Sequence, residues 1–254
     1  MFRNFKLKYS TWLVVLLLLV SLIGLAIFAN DGFSANRCAK IIVTVKNADE
    51  NAFVKKEDVE QLATNNGSEP LVGKLFEKIS FSSIEKRVLE NKQIKTCQVH
   101  KDLRGNLNIE IEQYIPIARI LMDGVSNDMY IDETGKLFPI SKHYTARVPI
   151  ISGAFVKNIN ALKNTKNQDL LQFINHIKED PFWSVQFTQL DIDENKSIVI
   201  VPLMGNHLIE FGQPSEIDAK LNKLKTFYKQ ILPVKGWDTY TKISVKFANQ
   251  IVCE

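Results

Sequence analysis

The chain has 254 residues, of which 45% are hydrophobic and 24% charged, enough for one or two domains with real cores. Its 32 basic residues against 28 acids give a formal charge of +4, which is no electrostatic footprint for nucleic acid. Three cysteines, Cys38, Cys97 and Cys253, are too few and too odd for a disulfide framework.

Residues 1–10 carry Arg3, Lys6 and Lys8 and no acid. The run TWLVVLLLLVSLIGLAIFA over 11–29 then carries no charge at all. At about 1.5 Å per residue it is about 30 Å long as a helix, the thickness of a hydrocarbon core. Asp31 follows directly, and Tyr9 and Trp12 lie where one interface would fall. The positive-inside bias then makes 1–10 a cytoplasmic tail, 11–30 a transmembrane helix and the rest an exported portion. The competing reading is a cleaved secretory signal, whose apolar region would run roughly 7 to 15 residues. No A-x-A cleavage site follows the run. Beyond it lie all 28 acids and 29 of the 32 bases, so the exported part is nearly neutral, and no second stretch is apolar enough to span.

Residues 31–113 read as one unit. Ile41 to Val45 is a β-branched strand ended by Asn47. Lys55 to Ala63 puts Val59, Leu62 and Ala63 on one helical face, and Asn65-Asn66-Gly67 stops it. Ser82 and Ser83 are positioned to cap a second helix with the stripe Ile84, Val88 and Leu89. A hairpin follows, Ile94 to Leu103 and Leu107 to Glu112 around Arg104-Gly105-Asn106, with Leu107, Ile109 and Ile111 on the buried face. The order is β-α-α-β-β. Two readings stand for Cys97: a small buried hydrophobe, or half of a bridge to Cys38.

Residues 114–254 are richer in strands. Tyr130 to Phe138 is a hairpin around Glu133-Thr134-Gly135, and Val148 to Ile151 is extended up to Gly153. Gln168 to Glu179 is a helix with Leu170, Leu171, Phe173, Ile174 and Ile177 at helical spacing. Strands Ser197 to Leu203 and His207 to Phe211 surround the turn dipeptide Gly205-Asn206. Pro214 opens a helix with the stripe Ile217, Leu221, Leu224, Phe227 and Ile231, ended by Leu232-Pro233. Lys220, Lys223, Lys225 and Lys229 read as its solvated face. Two short strands within Tyr240 to Val252, broken near Ala248-Asn249-Gln250, close the chain. The fold class is therefore α+β: an N-terminal transmembrane helix, a β-α-α-β-β unit and a strand-rich domain with two helices.

Catalytic signatures are fragmentary. Ser83-Ile84-Glu85-Lys86 matches S-x-x-K, without the K-T-G and S-D-N elements that accompany it in penicillin-recognising enzymes. Asp191 to Asn195 starts like a calcium loop, but Lys196 replaces the turn glycine and Pro202 the closing glutamate, so it reads as a turn. His100, His143, His176 and His207 have no partner at metal-ligand spacing. We assign no catalytic residue, no metal or cofactor and no small-molecule substrate. The sequons at Asn66 and Asn195 bear only on a eukaryotic secretory pathway.

The closing segment carries the candidate binding site. Ile243, Val245 and Phe247 alternate with Ser244 and Lys246, giving an apolar and a polar face, and Lys246 suits a strand edge. The partner-binding set is Ile243, Val245, Lys246, Phe247, Ile251 and Val252. In the alternative, Phe247 packs in the core.

Taken in order, these features resemble the FtsQ/DivIB proteins of bacterial cell division. The 31–113 unit is similar to their POTRA domain and 114–254 to their β domain. Glu112 to Ala118 resembles the family's E-R-x-P-x-A junction with Gln113 in place of arginine, and Tyr130 to Phe138 its V-D-x-x-G-x-x-F hairpin. Val148 to Gly153 resembles L-P-x-I-x-G, Glu216 to Leu221 resembles E-I-x-x-K-L, and Lys242 to Cys253 the closing strand pair, with Lys246-Phe247 where Arg-Tyr is commoner. The resemblance implies a single-pass (type II) scaffold of the bacterial inner membrane at the division septum. Its exported domain would bind the coiled-coil proteins FtsB (DivIC) and FtsL by strand addition. The alternatives are an anchored exported cell-wall enzyme, or a POTRA-bearing outer-membrane assembly or secretion component.

Overall fold

The computed structural model describes residues 12–25, 36–49, 51–122, 128–163 and 167–254, without the side chains of 158, 160, 161 and 163. Residues 12–25 form helix α1, exposed along its length. No helix among the described residues is long and apolar enough to cross a membrane. The tail 1–10, Thr11 and 26–30 of the expected span lie outside the described residues. The rest divides into two compact units, one of residues up to Lys46 with Lys55–Glu112, the other of Asn47–Val54 with Gln113–Glu254.

In the first unit β1 (Ile41–Lys46), α2 (Lys56–Ala63), α3 (Phe81–Val88), β2 (Ile94–Lys101) and β3 (Leu107–Gln113) follow in order. The sheet order is β1-β3-β2, with β1 parallel to β3 from Ile41↔Leu107 to Lys46↔Glu112. A parallel pair needs a crossover, and α2 and α3 supply it. Their buried faces, Val59 with Ala63 and Ile84 with Val88, join Val43, Leu107, Ile109 and Ile111 in a core of fully or nearly fully buried side chains. Asn65 and Asn66 take left-handed φ of 51° and 54° after α2, as their place in the sequence requires. Two expectations change. The cap of α3 is Ser80, whose hydroxyl accepts the Ser83 N–H at 3.3 Å, because the helix starts at Phe81, earlier than a Ser82 or Ser83 cap would place it. Leu89 is the C-cap and 39% exposed, since the helix turns off before that position reaches the sheet.

The second unit is a nine-stranded sheet, ordered β12-β11-β10-β9-β8-β7-β4-β5-β6. Its strands are β4 (Pro116–Ile120), β5 (Met129–Asp132), β6 (Leu137–Pro139), β7 (Ile150–Ser152), β8 (Phe187–Ile192), β9 (Ile198–Pro202), β10 (Leu208–Gly212), β11 (Lys242–Ser244) and β12 (Val252–Cys253). Pairs β4–β7, β7–β8 and β10–β11 are parallel, the other pairs antiparallel. The two expected helices, α4 (Gln168–Glu179) and α6 (Ile217–Gln230), are joined by two single turns, α5 (Trp183–Gln186) and α7 (Leu232–Lys235), and by a 3-10 stretch, Ala154–Lys163. Phe173, Ile174, Ile177, Leu221 and Leu224 bury one face of the sheet with Phe211, Ile200 and Ile209.

Helix α6 starts at Ile217, not at Pro214, and its lysine face is largely not solvated. Lys220 is 6% exposed, lies over the Phe211 ring and donates to Gln213 O, and Lys225 meets Asp180. Long aliphatic stems let these lysines cover apolar surface while their ammonium groups reach polar partners. Gly153 is a position where only glycine fits: φ is 95° and a Cβ would lie 2.4 Å from Ile192 O. Gln113, the departure from the family junction, is buried and fully used. Its side chain accepts the Val54 N–H at 2.8 Å and donates to Asn51 O at 2.9 Å, fixing the 47–54 segment within this unit. Phe53 from that segment is buried against Tyr130, Phe138 and Tyr144.

Candidate partner-binding edge

The end of the nine-stranded sheet is built by three strands. Strand β11 runs parallel to β10, with Leu208↔Lys242, Ile209↔Ile243 and Glu210↔Ser244 in register. Beyond Ser244 the ladder continues one step, Val245 N–H donating to Glu210 O at 3.0 Å. On its other side β11 pairs antiparallel with β12, Ile243↔Cys253 and Ser244↔Val252. Glu254 N–H donates to Lys242 O at 3.0 Å and Lys242 N–H to Glu254 O at 3.3 Å. That mutual pair sets the alternation: Ser244 and Val252 face one another, while the N–H and C=O of Ile251 and Cys253 point out of the sheet. Strand β11 is therefore internal, and β12 is the edge.

Side chains sort by the same period of two. Ile243 and Val245 are fully buried, and Ile251 and Cys253 pack partly on the same core. Val252 is 39% exposed, on the face with Ser244. Phe247 falls beyond the strand and is 48% exposed, so it is not a core ring. The 245–247 segment is pinned from α6: Lys223 Nζ donates to Val245 O at 3.2 Å and to Phe247 O. On the face away from the core a charged row crosses the sheet. Lys246 meets Glu210 at 2.9 Å, and Lys242 meets Glu210 at 3.4 Å and Glu254 at 3.2 Å. The hydrogen bond from Lys246 leads the effects that hold the Glu210 carboxyl below its ordinary value, against the opposing effect of burial. Gly212, at φ 73° on a β-bulge, lets the Lys246 stem lie across it, since a Cβ there would meet Lys246 Cγ at 2.7 Å.

All six residues singled out in the sequence thus lie on or beside this edge, though only Ile251 and Val252 belong to the outer strand or its approach. Sequence reading missed Glu210, Lys223, Lys242 and Cys253. Lys223 looked like any other lysine on a solvated face, and Glu210 acquires its partners only through the parallel β10–β11 pairing.

The fragments that resemble catalytic or metal-binding motifs lie elsewhere. The Ser83 hydroxyl lies 2.8 Å from that of Ser80. His207 is 1% exposed, with Nε2 at 2.7 Å from the Tyr228 hydroxyl, and burial pushes its imidazole pKa down. The Asp193 carboxylate accepts the N–H groups of Asn195 and Ser197 and so closes the turn that the sequence suggests there. All three cysteines are free thiols, and Cys97 is half-buried, its pKa pushed up to about 11 by burial. No group of three His, Cys, Asp or Glu side chains able to hold a metal ion is present among the described residues.

Comparison with known proteins agrees with this architecture. A family profile described as FtsQ/DivIB, C-terminal related, matches residues 115–254, and a POTRA-like domain profile matches 36–112. The chain belongs to the FtsQ/DivIB family. It is similar to the cell division protein DivIB of Bacillus subtilis (strain 168), at 25% identity over 142 residues, or 56% of this chain and 50% of that protein. The chain thus spans about half the length of the curated relative that it matches.

Proposed function

We propose that this protein is a non-catalytic scaffold of the bacterial division machinery, held in the cell membrane by the apolar segment 11–30. Its 31–113 and 114–254 domains would lie outside the cytoplasm at the septum. The partners are the coiled-coil proteins FtsB (DivIC) and FtsL, which it links to septal peptidoglycan synthesis. The observation that carries this reading is the outer side of β12, which is unpaired among the described residues. An incoming strand would complete the ladder against Ile251 and Cys253, while Phe247 and Val252 offer apolar contacts and Lys242 and Lys246 a charged margin. A strand of two residues is a short edge, which limits promiscuous pairing while leaving room for one specific partner.

The test is binding of the full chain, in detergent, to a peptide from the C-terminal part of the FtsB (DivIC) partner. Cys253→Pro removes an outward N–H and leaves the internal ladder intact, so the protein should stay folded and lose at least about tenfold in affinity. Ser244→Pro is the contrast, because its N–H faces β12 and its loss should destabilise the sheet. A folded Cys253→Pro protein that binds as tightly as the parent would remove β12 as the site.

A further inference from the structure

The first unit gathers three loops at the end where the chain enters it. Strand β1 starts opposite Leu107, so residues 36–40 lie beside the 102–106 turn. Ala39 N–H donates to Gly105 O at 2.7 Å and Leu107 N–H to Lys40 O at 2.9 Å. The 72–76 loop joins the same stretch: Cys38 N–H donates to Lys74 O at 3.0 Å, Gly73 N–H to Cys38 O at 2.7 Å and Phe76 N–H to Asn36 O at 3.0 Å.

Two of these loops lift an apolar side chain into solvent. Leu103 is 99% exposed at the tip of the hairpin, where the sequence had suggested the end of a strand, and Val72 is 58% exposed. The three loops and the residues next to them in the chain carry Arg37, Lys40, Lys74, Lys78, Lys101 and Arg104. Among the described residues none of the six is in an ion pair. Arg37 donates to Gly73 O at 2.9 Å and Lys101 sits 4.9 Å over the Phe76 ring. The acids in these segments are Glu77 and Asp102, and Asp102 is occupied by its own turn, accepting the N–H groups of Arg104 and Asn106 and the Asn106 side chain.

We infer that this end of the first unit docks on the anionic headgroup surface of a lipid bilayer, Leu103 and Val72 entering the interface while the surrounding bases hold lipid phosphates. Apolar tips ringed by long cationic side chains match both halves of an anionic interface, hydrocarbon boundary and negative surface potential. A protein partner fits less well, because separate loop tips form no contiguous apolar patch. Chain length supplies the occupant. Residues 26–35 separate the apolar helix from Asn36, and that length of chain spans at most about 35 Å. The inference rests on reading 11–30 as a membrane anchor, and it adds a second membrane contact that would orient the domain.

Amide hydrogen exchange of the full chain in lipid nanodiscs tests it. On discs containing phosphatidylglycerol, peptides covering 72–76 and 102–106 should exchange about fivefold slower or more than on phosphatidylcholine discs, with β9 and β10 unchanged. Leu103→Asp and the pair Lys74→Glu with Arg104→Glu, all at exposed or half-exposed loop positions, should erase the difference while β1 and β3 keep their protection. Equal exchange on the two kinds of disc, or slowing that survives these substitutions, would overturn the docking. Slowing seen only when a second protein is added would overturn it in favour of a protein partner. Failure of the chain to co-elute with discs would bring down the anchor reading and this inference together, whereas co-elution without loop protection would bring down the inference alone.

Discussion

Phe247 and His207 show how burial redirects the meaning of a residue. Phe247 alternates with two buried residues, Ile243 and Val245, yet it lies half in solvent because the strand ends before it. Phe247→Ala should therefore change stability by no more than about 1 kcal/mol, far from the roughly 3 to 5 kcal/mol of a core ring, and should weaken partner binding instead. Thermal unfolding alongside peptide affinity separates the two outcomes. His207, without a partner at metal-ligand spacing in the sequence, is buried against Tyr228, so it is no neutral control for substitution. Burial lowers its folded pKa below the unfolded value, so the unfolded chain takes up the proton first. Its contribution is intact above the unfolded value, about 6.5, and stability falls as pH drops below that, until the folded form also protonates. His207→Leu should reduce the loss of melting temperature between pH 7 and pH 5 relative to the parent, read by scanning calorimetry, even if it lowers the melting temperature overall.

At the scale of elements, α6 connects packing to the proposed binding edge. Its apolar stripe anchors it to the sheet, and Lys223 on the neighbouring flank reaches the carbonyls of Val245 and Phe247. Burial pushes the Lys223 pKa down, yet the two carbonyl acceptors give the charged head a fixed destination. Lys223→Met keeps the aliphatic stem and removes both hydrogen bonds, so the 245–250 segment should loosen. The expected result is faster amide exchange over 245–250 and weaker peptide binding, with the melting temperature within a few degrees of the parent. Lys223→Arg should restore part of the affinity, and unchanged affinity in Lys223→Met would show that the segment needs no pin from α6.

For the whole molecule, on the membrane anchoring proposed above, the charge asymmetry around the apolar run would direct the two units out of the cytoplasm. A reporter enzyme that is active only outside the cytoplasm, fused after Glu254, should be active in cells. The mature protein should retain Met1 when its N-terminal peptide is read by mass spectrometry. A mature chain that begins near residue 31 would replace the anchor by a cleaved signal.

Much of this was legible in the sequence because it depends on short-range physics. The alternation of Leu107, Ile109 and Ile111, the left-handed Asn65-Asn66, the Glu133-Thr134-Gly135 turn and the Gly205-Asn206 hairpin are set by side-chain period and by backbone freedom. The arrangement of motifs was enough to suggest the family. Only the tertiary structure decided which closing strand is the edge, because that depends on β11 pairing in parallel with a strand more than thirty residues earlier. The same long-range pairing places Lys246 and Lys242 on Glu210 and sets the carbonyls of Val245 and Phe247 within reach of Lys223. In the first unit, the parallel β1–β3 pairing and the backbone hydrogen bonds of 36–40 bring the 36–40, 72–76 and 102–106 loops to one end, a convergence that no local period encodes. Local propensity acts within a turn or two of the chain, whereas an edge, a buried charge or a shared surface exists only after distant segments have met.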